Sequence, residues 1–133
     1  MFTEILSPRF SETDALGHIN NTILPNWFEK AREPVFRLFT PDLDLKKWRL
    51  IIARITVDFL VELNYGSDVE IRTGVIKIGN SSMTLGHEAW QNGECCAKGE
   101  AILIHYDYGQ KKSVPIPDAI RETLKPHQVK PSG

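Results

Sequence analysis

A carboxylate, an imidazole, a hinge glycine and two carboxamides fall within nine positions at Thr13-Asp14-Ala15-Leu16-Gly17-His18-Ile19-Asn20-Asn21. Only Ala15, Leu16 and Ile19 in that run are apolar, so core packing does not account for its polar residues. A carboxylate can abstract a proton from water or attack an electrophilic carbon itself. An apolar periodic segment follows at once, and the first N–H groups of a helix have no internal acceptor and favour negative charge. Asp14 and a helix start together would supply a base or nucleophile on one side of a carbonyl and an oxyanion donor on the other. Gly17 lets the loop approach those amides without a side-chain clash. The bland alternative is equally open at this point: Asp14 as a turn residue, His18 bonded within the loop, and Asn20 or Asn21 as an N-cap.

Something must hold the loop in place. From Thr22 the apolar residues Ile23, Trp27, Ala31, Val35 and Leu38, with Leu24, Phe28 and Phe39 beside them, recur at helical spacing and predict one broad buried stripe. Pro25 suits a first turn, whereas Pro34 removes a donor and crowds the carbonyl of Lys30, so the helix should kink or end near Glu33. Trp27 and Phe28 are assigned to the core, and Glu29 and Arg32, three apart, to an intrahelical pair. Thr40 to Leu50 reads as a solvated connector with a basic cluster at Lys46, Lys47 and Arg49.

Strands account for most of the rest. Phe2 to Phe10 reads as a short strand, with Pro8 placing it at an edge or bulge. Ile51, Ala53, Ile55, Val57, Phe59, Val61 and Leu63 alternate with polar neighbours, which predicts a strand with one buried face. Asp58 lies on its polar face, toward water or toward the loop. A second strand, Val69 to Ile78, changes apolar phase across Gly74, which predicts a bulge or bend. Gly79-Asn80-Ser81 turns the chain, Met83 to Trp90 returns, and Asn92-Gly93 is a hairpin signal because both residues accept positive φ. Cys95 to Tyr108 closes the set, with small residues Ala97, Gly99 and Ala101 on one face for a helix to approach. Asp118 to Leu124 is a candidate short helix, and Lys125 to Gly133 reads as a flexible tail. The order predicts an α+β fold: an antiparallel sheet of about five strands wrapped around one long central helix, as a single domain over residues 1–133.

Composition narrows the function. A net charge of −1 gives no general field for polyanions, so nucleic acid is not expected as a partner. No apolar run approaches the roughly 20 residues that span a bilayer, so no membrane is expected either. Cys95 and Cys96 are adjacent and poorly placed to bridge, which favours two reduced thiols and a cytoplasmic location. His87 and His105 have no companions at metal-ligand spacing, so neither metal nor cofactor is expected. There is no G-x-S-x-G elbow and no Gly-rich phosphate loop.

The ordered set Asp14-x-x-Gly17-His18-Ile19-Asn20-Asn21, then Trp27-Phe28-Glu29-x-Ala31-Arg32, Phe59-Leu60, Gly79-Asn80-Ser81-Ser82 and Gly93-Glu94-x-x-Ala97-x-Gly99 resembles the hotdog-fold acyl-CoA thioesterases, in particular the 4-hydroxybenzoyl-CoA thioesterase-like branch. The resemblance runs from about Phe10 to Tyr108. It implies an acyl-CoA or acyl-carrier-protein thioester as substrate, Asp14 as catalytic base or nucleophile, and the backbone amide of Asn21 as the group that polarises the carbonyl. Plant acyl-carrier-protein thioesterases share a similar His-x-Asn-Asn run, which adds His18 and Asn20 as catalytic candidates. Gly17, Asn21, Leu24, Ser81 and Ser82 are the substrate-binding candidates. Many relatives carry Tyr where this chain has Leu24, which removes a tyrosine-dependent role and makes the acyl pocket more apolar. Exposed sheet edges predict a homodimer, and the family adds an interfacial active site and homotetramers in some members. A non-catalytic acyl-CoA-binding module and a hotdog dehydratase or isomerase are the competing readings.

Overall fold

The computed structural model describes residues 1–130. Alternating burial marks its strands: in β4 (Ser82–Gln91) every second side chain from Met83 to Gln91 is buried. Around it lie β1 (Phe2–Leu6), β2 (Leu50–Phe59), β3 (Val69–Ile78), β5 (Glu94–Asp107) and the two-residue β6 (Lys112–Ser113). The spatial order is β1-β3-β4-β5-β2, antiparallel throughout, with β6 added to the end of β5. The curled sheet packs on α1 (Leu24–Ala31) and α2 (Glu33–Phe39), and a short α3 (Asp118–Leu124) follows. This is the α+β arrangement that the residue pattern predicts, and the hotdog fold that the resemblance implies. Asn92 and Gly93 take the expected positive φ values, 52° and 78°. The bulge in β3 falls between Val75 and Lys77, just past Gly74.

The central helix breaks near Glu33, where Pro34 is expected to kink or end it, and so stands as two. The break is at Arg32 (φ −83°, ψ −8°), two residues before Pro34, because a proline at that place cannot donate back to Lys30. It divides the core in two: Leu24, Trp27 and Phe28 pack with Val69, Ile71 and Ala89, while Val35 and Phe39 pack with Val75, Met83 and Leu103.

The break also overturns the expected Glu29–Arg32 pair. Arg32 turns inward, is 4% exposed, and makes no ion pair among the described residues. Its Nη1 lies 3.2 Å from His87 Nε2, and its Nε has no partner among the described residues. Guanidinium only donates, so Nε2 must accept, and the proton sits on Nδ1, 2.8 Å from Thr73 Oγ1. Phe28 stacks on the imidazole at 4.9 Å. Burial pushes His87 down to about 3, with the Arg32 charge adding to it, and burial likewise lowers Arg32.

Gly99 shows why β5 needs small residues. A Cβ there would sit 2.7 Å from the Thr56 carbonyl oxygen and 2.8 Å from the Phe28 ring. We expect Gly99→Ala to cost about 1–3 kcal/mol, visible as a lowered Tm in thermal denaturation. Gly86→Ala, whose Cβ would meet only the movable Ile76 side chain, should cost less.

Two expectations need correction. The long apolar alternation of β2 does not give a buried face in the single chain: Ile52, Ile55 and Phe59 are 42%, 50% and 55% exposed. β2 is an edge strand on which only Leu50 is buried and Val57 packs partly against the core; a register shift between Ile52 and Arg54 also breaks the alternation. The expected flexible tail does not begin at Lys125. Lys125–His127 forms a 3-10 turn, Gln128 bridges Val75, and Val129 N–H donates to the Val75 carbonyl. β1 covers the edge of β3 only as far as Thr73, which leaves the edge beyond it for this segment, and His127 stacks on Phe2. Residues 131–133 of that expectation lie outside the described residues.

Candidate active site

The polar loop is a closed hairpin. Thr13 pairs with Ile19, Asp14 N–H donates to the His18 carbonyl, and Gly17 turns the chain at φ 81°. One oxygen of Asp14, Oδ1, accepts from the amides of Leu16 (2.7 Å) and His18 (3.1 Å). That leaves Oδ2, which stands 3.9 Å from His18 Nδ1. The other ring nitrogen, Nε2, is 3.0 Å from Glu62 Oε2, so His18 lies between two carboxylates.

The loop is zipped to the segment that follows β2. Ile19 N–H donates to Leu63, and Tyr65 N–H to Gly17, which brings Glu62 to His18 across a long sequence gap. The buried Gln91 side chain holds the other face of that turn through Asn64 and Ser67. Behind the loop, buried Glu12 accepts from the Trp27 indole at 2.9 Å and from the Arg9 amide at 2.7 Å. Glu12 thereby fixes the loop to α1. Glu12, Glu62 and Gln91 were not singled out by sequence reasoning, and each acts through a partner at least fifteen residues away or in a turn, beyond any local pattern.

Asn20 caps the helical start: its Oδ1 accepts from the Thr22 amide at 3.0 Å and the Thr22 hydroxyl at 2.9 Å. This is the structural role that the sequence left open for it. With that cap in place, the amide of Asn21, first residue of a 3-10 turn leading into α1, has no acceptor among the described residues. Asp14, His18, Asn20, Asn21 and Leu24 line one cavity of about 440 Å³, whose opposite wall runs from Phe59 at the end of the edge strand through the following loop to Leu63. The buried Leu24 and the exposed Phe59 give it apolar walls. Gly17 shapes the loop without lining the cavity. Ser81, in the β3–β4 turn, and Ser82, the first residue of β4, stand elsewhere, at the opposite end of the sheet. Asp58 is on the sheet's other face, opposite Lys98, and is not part of the cavity. Cys95 and Cys96 are free thiols, and burial raises both. Among the described residues no group of three or more His, Cys, Asp or Glu is placed to hold a metal ion.

The class so defined is a hotdog protein with a half-free carboxylate and an unsatisfied helix-start amide on residues that line one cavity. The chain belongs to the thioesterase-like superfamily, whose family model matches residues 8–124. Among solved structures, a predicted thioesterase from Bacillus stearothermophilus is 46% identical, with TM-score 0.93 and 98% of each chain covered. A thioesterase from Thermus thermophilus, solved with coenzyme A and Zn, is 32% identical at TM-score 0.82, covering 93% of this chain and 97% of that one. YsmA of Bacillus subtilis is 30% identical over 125 residues, 92% of this chain and 84% of that protein. These likenesses support thioesterase chemistry in general. No helix among the described residues is long and apolar enough to cross a membrane.

Proposed function

We propose that this protein hydrolyses an acyl-CoA thioester to the free acid and the thiol. One observation carries the reading: Asp14 Oδ2 accepts no hydrogen bond among the described residues, and Asp14 lines the same cavity as Asn21, whose amide has no acceptor there. A thioester carbonyl pointing at that amide has its oxygen at the positive end of the helix, where a developing oxyanion is favoured. Asp14 takes a proton from a water as the water oxygen bonds to the carbonyl carbon. The carbon–sulfur bond then breaks, and the proton held by Asp14 returns to the departing sulfur. His18 stands beside the carboxylate's free oxygen, and Glu62 holds His18. Leu24 makes the acyl side of the cavity apolar, which favours hydrocarbon or aromatic acyl groups.

The working unit in this reading is a homodimer paired through β2. That strand has a free edge, and Ile52, Ile55, Phe59, Leu60 and Val61 expose an apolar strip too continuous for a lone chain. Antiparallel pairing about a two-fold axis at Thr56 would set Arg54 of each copy opposite Asp58 of the other. The free thiols fit a reducing compartment such as the cytoplasm.

A panel of acyl-CoAs with straight, branched and aromatic acyl groups, followed by release of free thiol, tests the reading. Turnover of at least one member above background is the expected result. Tight binding of every ligand with no turnover would instead identify a non-catalytic acyl-CoA-binding module.

A further inference from the structure

Capping uses only half of the Asn20 side chain. Its Oδ1 accepts from the Thr22 amide at 3.0 Å and from the Thr22 hydroxyl at 2.9 Å. A backbone N–H can only donate, so the oxygen must face Thr22 and the carboxamide cannot be turned round. The main chain of Asn20 is engaged as well. Its N–H donates to the Glu12 carbonyl at 2.8 Å, and its carbonyl accepts from the Ile23 N–H at 3.0 Å. The one polar group left is Nδ2, which has no partner among the described residues. Asn20 lines the cavity that Asp14 and Asn21 also line. A cap asks only for an oxygen, and Asp or Ser would supply it about as well. The fold therefore leaves the amino half of this carboxamide unexplained.

We propose that Asn20 Nδ2 is a catalytic donor, which bonds the thioester oxygen together with the Asn21 N–H as negative charge develops there. The proposal rests on the hydrolytic reading and adds a residue to it. When the water oxygen bonds to the carbonyl carbon, the carbonyl π electrons move onto oxygen. That oxygen can then accept several hydrogen bonds, and the Asn21 amide supplies one. The Asp14 carboxylate lines the same cavity and repels the new charge, which raises the worth of a second donor. Expulsion of the sulfur re-forms the carbonyl, and the bond to Nδ2 weakens again. Asn21 carries a carboxamide too, but it is exposed and no bond among the described residues fixes it. The Asn20 carboxamide is held by two bonds before any substrate arrives. A donor already in place costs no reorganisation at the moment the charge appears. Thr22 is on this account a positioning residue, since both anchors come from it.

The test separates the oxygen of the side chain from its nitrogen. Asn20→Asp and Asn20→Ser, in the full chain, both keep a capping oxygen and remove the donor. Their melting temperatures should stay close to wild type, because Asn, Asp and Ser cap helices about equally well. With the best acyl-CoA of the panel, kcat should fall about 10²–10³-fold in Asn20→Asp and at least about tenfold in Asn20→Ser, with KM changed far less. A residue that only caps would leave both rates at the wild-type level, and that result overturns the inference. So does a loss of rate that tracks a loss of thermal stability. A second arm needs no turnover. A non-hydrolysable ketone analogue, with a methylene in place of the thioester sulfur and an isotope label in its carbonyl, is bound to wild type and to Asn20→Ser. The donor polarises the carbonyl already in the ground state, so the labelled infrared band should lie at lower wavenumber in the wild type. Coincident bands overturn the inference. A band that shifts in a protein that hydrolyses no acyl-CoA sinks the thioesterase reading and leaves Asn20 as the carbonyl donor of a binding module.

Discussion

Asp14→Asn should lower kcat for the best acyl-CoA by about 10²–10⁴-fold while leaving thermal stability almost unchanged. The separation comes from the two oxygens of the side chain. Oδ1 accepts from the Leu16 and His18 amides, and a carboxamide oxygen can keep both bonds. Oδ2 faces His18 and the cavity, and an amide nitrogen there cannot take a proton from water. Asp14→Ala is a poorer probe, because it also strips the loop of the acceptor that shapes it. Steady-state kinetics beside a melting curve for the Asn variant decides the matter. Full activity in that variant would remove Asp14 from the mechanism, whatever the acyl-CoA panel shows.

That residue was legible in the sequence because the loop has so little else in it. An acid, a glycine that needs φ 81°, and a capping Asn within a few positions can be read locally. Glu62 could not be read that way. It reaches His18 only because Ile19 and Tyr65 bond across to the partner segment, and a one-dimensional pattern does not report such a crossing. The same limit explains β2. Alternation identifies which side chains share an apolar face, but it does not say what covers that face. In the single chain nothing covers Ile55 and Phe59. The pair expected between Glu29 and Arg32 assumed a continuous helix, and Pro34 ended it at the residue that mattered. The segment after Lys125 packs through single contacts, Val129 over Gly74 and His127 on Phe2, which leave no periodic trace. By contrast, the hairpin at Asn92-Gly93 and the small residues facing Phe28 followed from local rules, and the fold class followed from them.

The inward turn of Arg32 has a consequence for stability that the fold alone would not announce. Lowering the pH from 6.5 toward 3 should destabilise the protein through His87, by about 1.4 kcal/mol for each pH unit and at most about 5 kcal/mol. The folded state holds this imidazole neutral, at about 3, against an ordinary value of 6.5. A proton added to Nε2 would remove the acceptor for Arg32 and place two cations 3.2 Å apart in a buried site. The unfolded chain takes up that proton below pH 6.5 and the folded chain does not, so the contribution is complete above 6.5 and is lost as the pH falls. Urea unfolding at a series of pH values measures it. The His87→Gln variant should lose this dependence, since its carboxamide oxygen can accept from Arg32 and its nitrogen can donate to Thr73 without titrating. It should be less stable than wild type at pH 7, because the stacking of the imidazole on Phe28 is gone, and the two curves should converge or cross toward pH 4. An equal fall in both proteins would place the acid sensitivity elsewhere and leave the Arg32–His87 contact without a role in it.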